Sequence, residues 1–392
     1  MRASLVLDIE AEADALVATF AGAGYQRVSP AILQPAEPFL DLSGEDMRRH
    51  MYLVADSQGR EFCLRPDLTI PVARDYLASA AAQCPAALCY LGPVFRDRGE
   101  AGGEFLQAGI ESFGRADTAA ADAEALALGL AACAHYGLAE PEIVMGDVAL
   151  FAALVEALDL APAWRRRLLK DFNRKTELAG DLARTTLSST NNGRAEYQGV
   201  LAALADANPK AAHALVTDLL SIAGIRAVGG RSIAEIADRF VEQAEVGASN
   251  ALPPDRQSII EQFLAITGTP DDAAAALGAL ADEAGISLAP ALDLFKSRTR
   301  DLAARGIDVR RIRFAAAFGR GVDYYTGFVF ELHDPERRVD GQLVAGGRYD
   351  ALLTRLGSAT PVPAVGFAAW IERLRALNGP RDGRRHLGHG AS

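Results

Sequence analysis

Residues 87–113 read ALCYLGPVFRDRGEAGGEFLQAGIESF. Two runs, 87–96 and 104–113, have the apolar and aromatic content of strands, and the Gly-rich stretch 97–103 between them reads as a turn. Successive strand side chains point to opposite faces, so Phe105, Gln107, Gly109 and Glu111 share one face. Gln107 and Glu111 therefore project together, beside a glycine. That arrangement suits a ligand's ammonium group; a solvated sheet face shows the same pattern.

Working outward, residues 5–23 carry apolar positions at helical spacing and Gly24 ends the pattern. Residues 26–30 look strand-like. Residues 51–55 and 61–65 flank the turn 56–59 as a hairpin, and 67–82 reads as a helix. On the other side, Thr118 caps a helix reaching His135, and 142–147 is a short strand. From about 149 to 305 the chain is alanine-rich, punctuated by helix breakers and nearly free of strand signals. Strands return at 313–318, 325–332 and 343–345, and 364–377 reads as a helix. The tail, 379–392, is polar and Gly-rich and reads as disordered. The expected fold class is α+β: a largely antiparallel sheet flanked by helices. Its core is 1–148 plus 306–378, and 149–305 forms a helical insertion.

At roughly 150 residues per domain, 392 residues imply two or three domains. Half the residues are hydrophobic and 23% are charged, as in ordinary globular proteins. The net charge of −11 argues against a duplex-binding protein, because neutralising phosphates needs a basic face. Cys63, Cys84, Cys89 and Cys133 lack CxxC spacing. They read as buried free thiols in a reducing compartment, not as a zinc site or a disulfide framework. The N-terminus is broken by Asp8, Glu10, Glu12 and Asp14 and is no signal peptide. Tyr76 to Phe95 is 20 uncharged residues, long enough to cross a membrane. Gln83, Pro85, Gly92 and Pro93 interrupt it, so it reads as a helix followed by a buried strand. The expected location is the cytoplasm.

Three further segments carry chemistry. Leu64-Arg65-Pro66-Asp67-Leu68-Thr69 runs from a strand end into a helix, where Asp67 is also a plain first-turn residue favoured by the helix dipole. Phe318-Gly319-Arg320-Gly321-Val322-Asp323-Tyr324-Tyr325 packs cationic and phenolic groups before an apolar strand, which suits a small polar aromatic ligand. Gly346-Gly347-Arg348-Tyr349-Asp350 reads as a turn of close backbone approach, and Glu372-Arg373 lies on the last helix.

In this order the segments resemble the catalytic core of class II aminoacyl-tRNA synthetases, most of all the histidyl enzymes. Gly24-Tyr25 with Pro30 is similar to the motif that builds that family's dimer interface. Met51-Tyr52 with 64–69, Phe95-Arg96 with Gln107 and Glu111, the 320–325 signature and the GGRYD segment are similar to its other motifs. The resemblance implies a histidine pocket formed by Asp67, Thr69, Arg96, Gln107, Glu111, Arg320, Tyr324 and Tyr325, with no metal or cofactor.

Three departures bear on activity. Only residues 378–392 remain where a synthetase would continue into an anticodon-binding domain of roughly a hundred residues. The loop after Arg96 is short and carries Glu100 and Glu104, which oppose a nucleotide's charge. Trp370 stands where the family has a glycine that lets a helix pass close to adenine, so the ring is expected to obstruct or fill the adenylate site.

This combination resembles the histidyl-synthetase-like regulatory subunits of ATP phosphoribosyltransferase. That resemblance implies a non-catalytic partner for a short-form catalytic subunit, acting in the first step of histidine biosynthesis. It also implies feedback by L-histidine and a dimer of the chain within a hetero-octamer, with no membrane and no nucleic-acid partner. The alternative is a divergent histidyl-tRNA synthetase-like enzyme that forms histidyl-adenylate.

Overall fold

The computed structural model describes residues 2–42, 48–99, 102–183, 218, 252–320 and 324–378. Glu100, residues 321–323, the helix breakers between 184 and 251, and the tail 379–392 lie outside the described residues.

A nine-stranded sheet in the order β1-β5-β6-β12-β11-β10-β7-β9-β8 forms the frame. Its strands are β1 (Gln26–Val28), β5 (Ala86–Phe95), β6 (Glu104–Phe113), β7 (Glu142–Asp147), β8 (Thr267–Gly268), β9 (Ile312–Ala315), β10 (Phe328–His333), β11 (Val344–Arg348) and β12 (Ala364–Trp370). β1–β5 and β7–β9 pair in parallel, and the ladders between β5 and β7 are all antiparallel. A second sheet, β2-β4-β3, joins β2 (Leu33–Pro35), β4 (Glu61–Leu64) and β3 (Leu53–Ala55). Its β3–β4 hairpin turns at the expected place.

Helices cover one face of the large sheet. α1 (Arg2–Gly22) and α4 (Thr118–His135) lie there with α5 (Val148–Ala157), and Phe20, Leu126, Phe328, Phe330 and Phe367 share one buried cluster. The same cluster takes in Leu168 of α6 (Pro162–Asp171), Leu178 of α7 (Lys175–Leu182), Phe263 of α8 (Pro254–Ala265), Leu277 of α9 (Pro270–Ala284) and Phe295 of α10 (Ala289–Ala304). The opposite face carries a second cluster containing Tyr90, Phe113, Tyr324, Tyr325, Tyr349 and Trp370. α2 (Glu37–Leu42), α3 (Thr69–Ala78) and α11 (Ala351–Arg355) contribute Phe39, Tyr76 and Leu352 to it.

The largest correction concerns 364–377. Residues 364–370 form the central strand β12, between β6 and β11, and only α12 (Ile371–Ala376) is helical. The run AVGFAAW does not alternate, because both faces of a central strand are buried. Such a run cannot be told from a buried helix by periodicity. Gly346 and Gly347 likewise lie within β11 and not in a turn; a Cβ on Gly346 would overlap the Gly366 carbonyl of the neighbouring strand.

Smaller differences follow local physics. α3 stops at Ala78, where the Ser79 hydroxyl donates to the Tyr76 carbonyl at 2.7 Å. Asp117, not Thr118, occupies the cap of α4, and Arg115 holds its carboxylate at 2.5 Å. Cys84 is exposed, while the other three thiols are buried and all four are free. β8 is an unforeseen two-residue strand on the far edge. Among the described residues no helix is long and apolar enough to cross a membrane.

Candidate functional site

Eight residues singled out in the sequence converge on the sheet face opposite α1, α4 and α5. Seven of them, Asp67, Thr69, Arg96, Gln107, Arg320, Tyr324 and Tyr325, line one cavity of about 60 Å³. Glu111 lies behind it, fully buried. The register explains the convergence. Gln107 and Glu111 point to the same side of β6, Asp67 and Thr69 sit at the start of α3, and Arg96 follows the last residue of β5. The loop between β9 and β10 supplies Arg320, Tyr324 and Tyr325.

Sequence reasoning missed Tyr349 and Tyr90. The Tyr349 hydroxyl donates to Glu111 Oε2, and the Tyr90 hydroxyl lies 3.3 Å from Oε1. Tyr90 faces Gly109 across the ladder, and a Cβ on Gly109 would collide with its ring. A Cβ on Gly366 would overlap Glu111 itself. The glycines on this face are thus spaces kept for a buried acid and its tyrosines, and a glycine directly opposite a tyrosine was the available signal. Trp370 also lines the cavity, from the end of β12 and not from the helix. The Arg373 guanidinium lies 5.3 Å over its ring, with Nη1 donating to the Gln342 carbonyl at 2.7 Å.

Burial pushes the Glu111 carboxyl up to about 8, although Tyr349, Thr69 and Tyr90 hydrogen bonds pull it back. Burial also raises Asp67 and lowers Arg96, and each is opposed by the charge of the other. Arg96 Nε donates to the Pro66 carbonyl at 2.7 Å. Arg320 donates from Nη1 to the Tyr325 hydroxyl at 2.9 Å, and its Nε lies 3.3 Å from Glu331 Oε1. Burial works against the Arg320 charge, but Tyr325 and Glu331 outweigh it and its pKa ends above the ordinary arginine value. His333 Nε2 lies 3.0 Å from the other Glu331 oxygen.

The lining therefore offers acceptors (Asp67 and Gln107) and cations (Arg96 and Arg320), with Arg96 close beside Asp67. Gln107 Oε1 is buried and has no hydrogen-bond partner among the described residues. The phenols of Tyr324 and Tyr325 line the same cavity, with ring centroids 5.0 Å apart. An α-amino acid presents the complementary set: an ammonium, a carboxylate and a side chain between them.

The family profile described as histidyl-tRNA synthetase matches residues 6–228 and 211–374. ATP phosphoribosyltransferase regulatory subunits of Brucella canis and of Brucella melitensis are each 42% identical over 352 residues. Those alignments cover 90% of this chain and 93% and 92% of the relatives. The chain belongs to the ATP phosphoribosyltransferase regulatory subunit family. Solved structures agree on the fold of the regulatory subunit. An ATP phosphoribosyltransferase regulatory subunit/histidyl-tRNA synthetase from Bacillus halodurans superposes with a TM-score of 0.65 at 24% identity, covering 95% of this chain and 79% of that one. A histidyl-tRNA synthetase from Nostoc gives 0.60 at 16% identity, covering 96% and 72%. The fold is the synthetase fold, and the regulatory subunits carry it without being the catalyst. Among the described residues no group of three His, Cys, Asp or Glu side chains could hold a metal ion.

Proposed function

We propose that this regulatory subunit binds a short-form catalytic ATP phosphoribosyltransferase, supports the first step of histidine biosynthesis in the cytoplasm, and senses L-histidine in the cavity just described. The observation that carries the reading is 42% identity across nine-tenths of the chain to regulatory subunits of that enzyme. The cavity supplies the chemistry. Asp67 and Gln107 would take the ammonium, Arg96 and Arg320 the carboxylate, and Tyr324 and Tyr325 would meet the imidazole, while Glu111, supported by Thr69, would hold the pocket's polarity from behind.

A ligand that favours one arrangement of this site over another biases the whole complex. Residues 149–305 are proposed as a helical insertion on the synthetase-like core. Self-association into the dimer of a hetero-octamer is supported by the small sheet, which exposes Leu33 at 50%, Leu53 at 49% and Val54 at 45%.

The test mixes the purified chain with a short-form catalytic subunit. Turnover should rise on mixing and become sensitive to histidine, and the two chains should co-elute. No change on mixing overturns the reading. The alternative, a divergent enzyme forming histidyl-adenylate, predicts ATP–pyrophosphate exchange with histidine. The Trp370 ring beside Gln107 disfavours it by standing against the cavity.

A further inference from the structure

We propose that Asn173 is a positioning residue for Arg320, acting as a wedge against the backbone of Gly319. The proposal rests on the reading of the cavity as a histidine site.

Residues 172–174 form the corner between α6 and α7. This corner is held from several sides. The Phe172 ring stacks on Phe151 at 4.4 Å, and Phe151 meets Phe263 at 5.8 Å in the helix-side core. Arg167 reaches back to Asp181 with paired hydrogen bonds of 2.6 and 2.5 Å, and Arg174 lies 3.4 Å from Asp171. Paired guanidinium–carboxylate contacts fix orientation as well as distance. The two helices therefore present Asn173 from a rigid support.

Asn173 presses on the loop that carries Arg320. A Cβ on Gly319 would overlap Asn173 Oδ1 and come 3.0 Å from Phe172 Cε1. On the other side, the Phe318 carbonyl fills the space a Cβ on Gly146 of β7 would need. The backbone at 318–319 is thus pressed between a sheet strand and the helical corner. The next residue is Arg320, whose guanidinium reaches Tyr325 and Glu331. Asn173 Oδ1 is buried and accepts no hydrogen bond among the described residues. An unpaired buried acceptor is costly, and this one lies against the glycine.

The consequence is selective. A shift of the corner moves the guanidinium that would hold a ligand's carboxylate. Asp67, Gln107 and Glu111 sit on α3's start and on β6 and stay where they are. Asn173 also lies within the helical segment between β7 and β9, so a partner that displaces that segment would retune the grip on the carboxylate.

The experiment measures calorimetric affinities of the full chain for L-histidine and for histamine, which lacks the carboxylate. The proteins are the wild type, Gly319→Ala, Asn173→Ala and the double variant, each with a thermal melt to verify folding. Gly319→Ala should weaken L-histidine by about tenfold, the scale of one charge-assisted hydrogen bond, and leave histamine within about twofold. The double variant should recover most of the loss, because the new methyl group gains the space Asn173 vacates. Asn173→Ala alone, the milder change, should weaken L-histidine more than histamine. Equal losses for both ligands, an unchanged L-histidine affinity in Asn173→Ala or in Gly319→Ala, or no recovery in the double variant overturns the proposal. A wild type that binds neither ligand overturns the histidine-site reading itself.

Discussion

Arg298 on α10 places Nε 2.8 Å from Oδ2 of Asp122 on α4, and neither side chain meets solvent. The same guanidinium holds Asp147 at 2.7 Å, and Arg348 holds the other Asp122 oxygen at 2.6 Å. Two buried arginines thus join α10, α4, β7 and β11 beneath the sheet. Removing one member leaves an uncompensated buried charge, which costs about 3–5 kcal/mol. Asp122→Ala should lower the unfolding free energy by that amount in a urea titration. A loss below about 1 kcal/mol would show that water reaches the pair.

Glu111 makes stability depend on pH. Its folded value is about 8 and its ordinary value 4.5. Between those limits the folded chain keeps a proton that the unfolded chain has released. Stability therefore falls as pH rises from 4.5 to 8 and levels above, by at most about 1.4 kcal/mol per pH unit from this group. Burial raises Asp67 too, which adds a slope of the same sign. Glu111→Gln should flatten the dependence, read as denaturation midpoints at acid and alkaline ends of the window. An unchanged slope would assign it to other groups.

Tyr325 takes a hydrogen bond from Arg320 at 2.9 Å. Tyr325→Phe leaves that donor unpaired in a buried site and should weaken histidine binding by about 1–3 kcal/mol. Arg320→Ala should weaken L-histidine more than histamine. Calorimetry checks both, and affinities equal to wild type would mean that the cavity does not hold histidine.

Leu33 and Val54 are half exposed on the small sheet. Placing a carboxylate at each, Leu33→Asp with Val54→Asp, should shift the chain towards monomer in light scattering while leaving its melt within a few degrees. Unaltered mass would move the self-contact elsewhere on the surface.

Much of this was legible before folding. The alternation of Phe105, Gln107, Gly109 and Glu111 is a local property of β6, and the hairpin around residues 56–59 is a property of its turn. β12 was not legible, because a strand buried on both faces loses the alternation that marks strands. Tyr349 follows the glycines of the GGRYD segment, and nothing local in the sequence marks its contact with Glu111, 238 residues away in the chain.

By itself the sequence determined the residue types of the site, the local periods that place them on strands and helix starts, and membership of a family. Only the tertiary structure decided the electrostatics. The charge of Glu111 depends on burial and on Tyr349, Thr69 and Tyr90, and the aim of Arg320 depends on Glu331 and Tyr325. Solvent exclusion and long-range contacts set those properties, and neither exists until strands distant in the chain are paired.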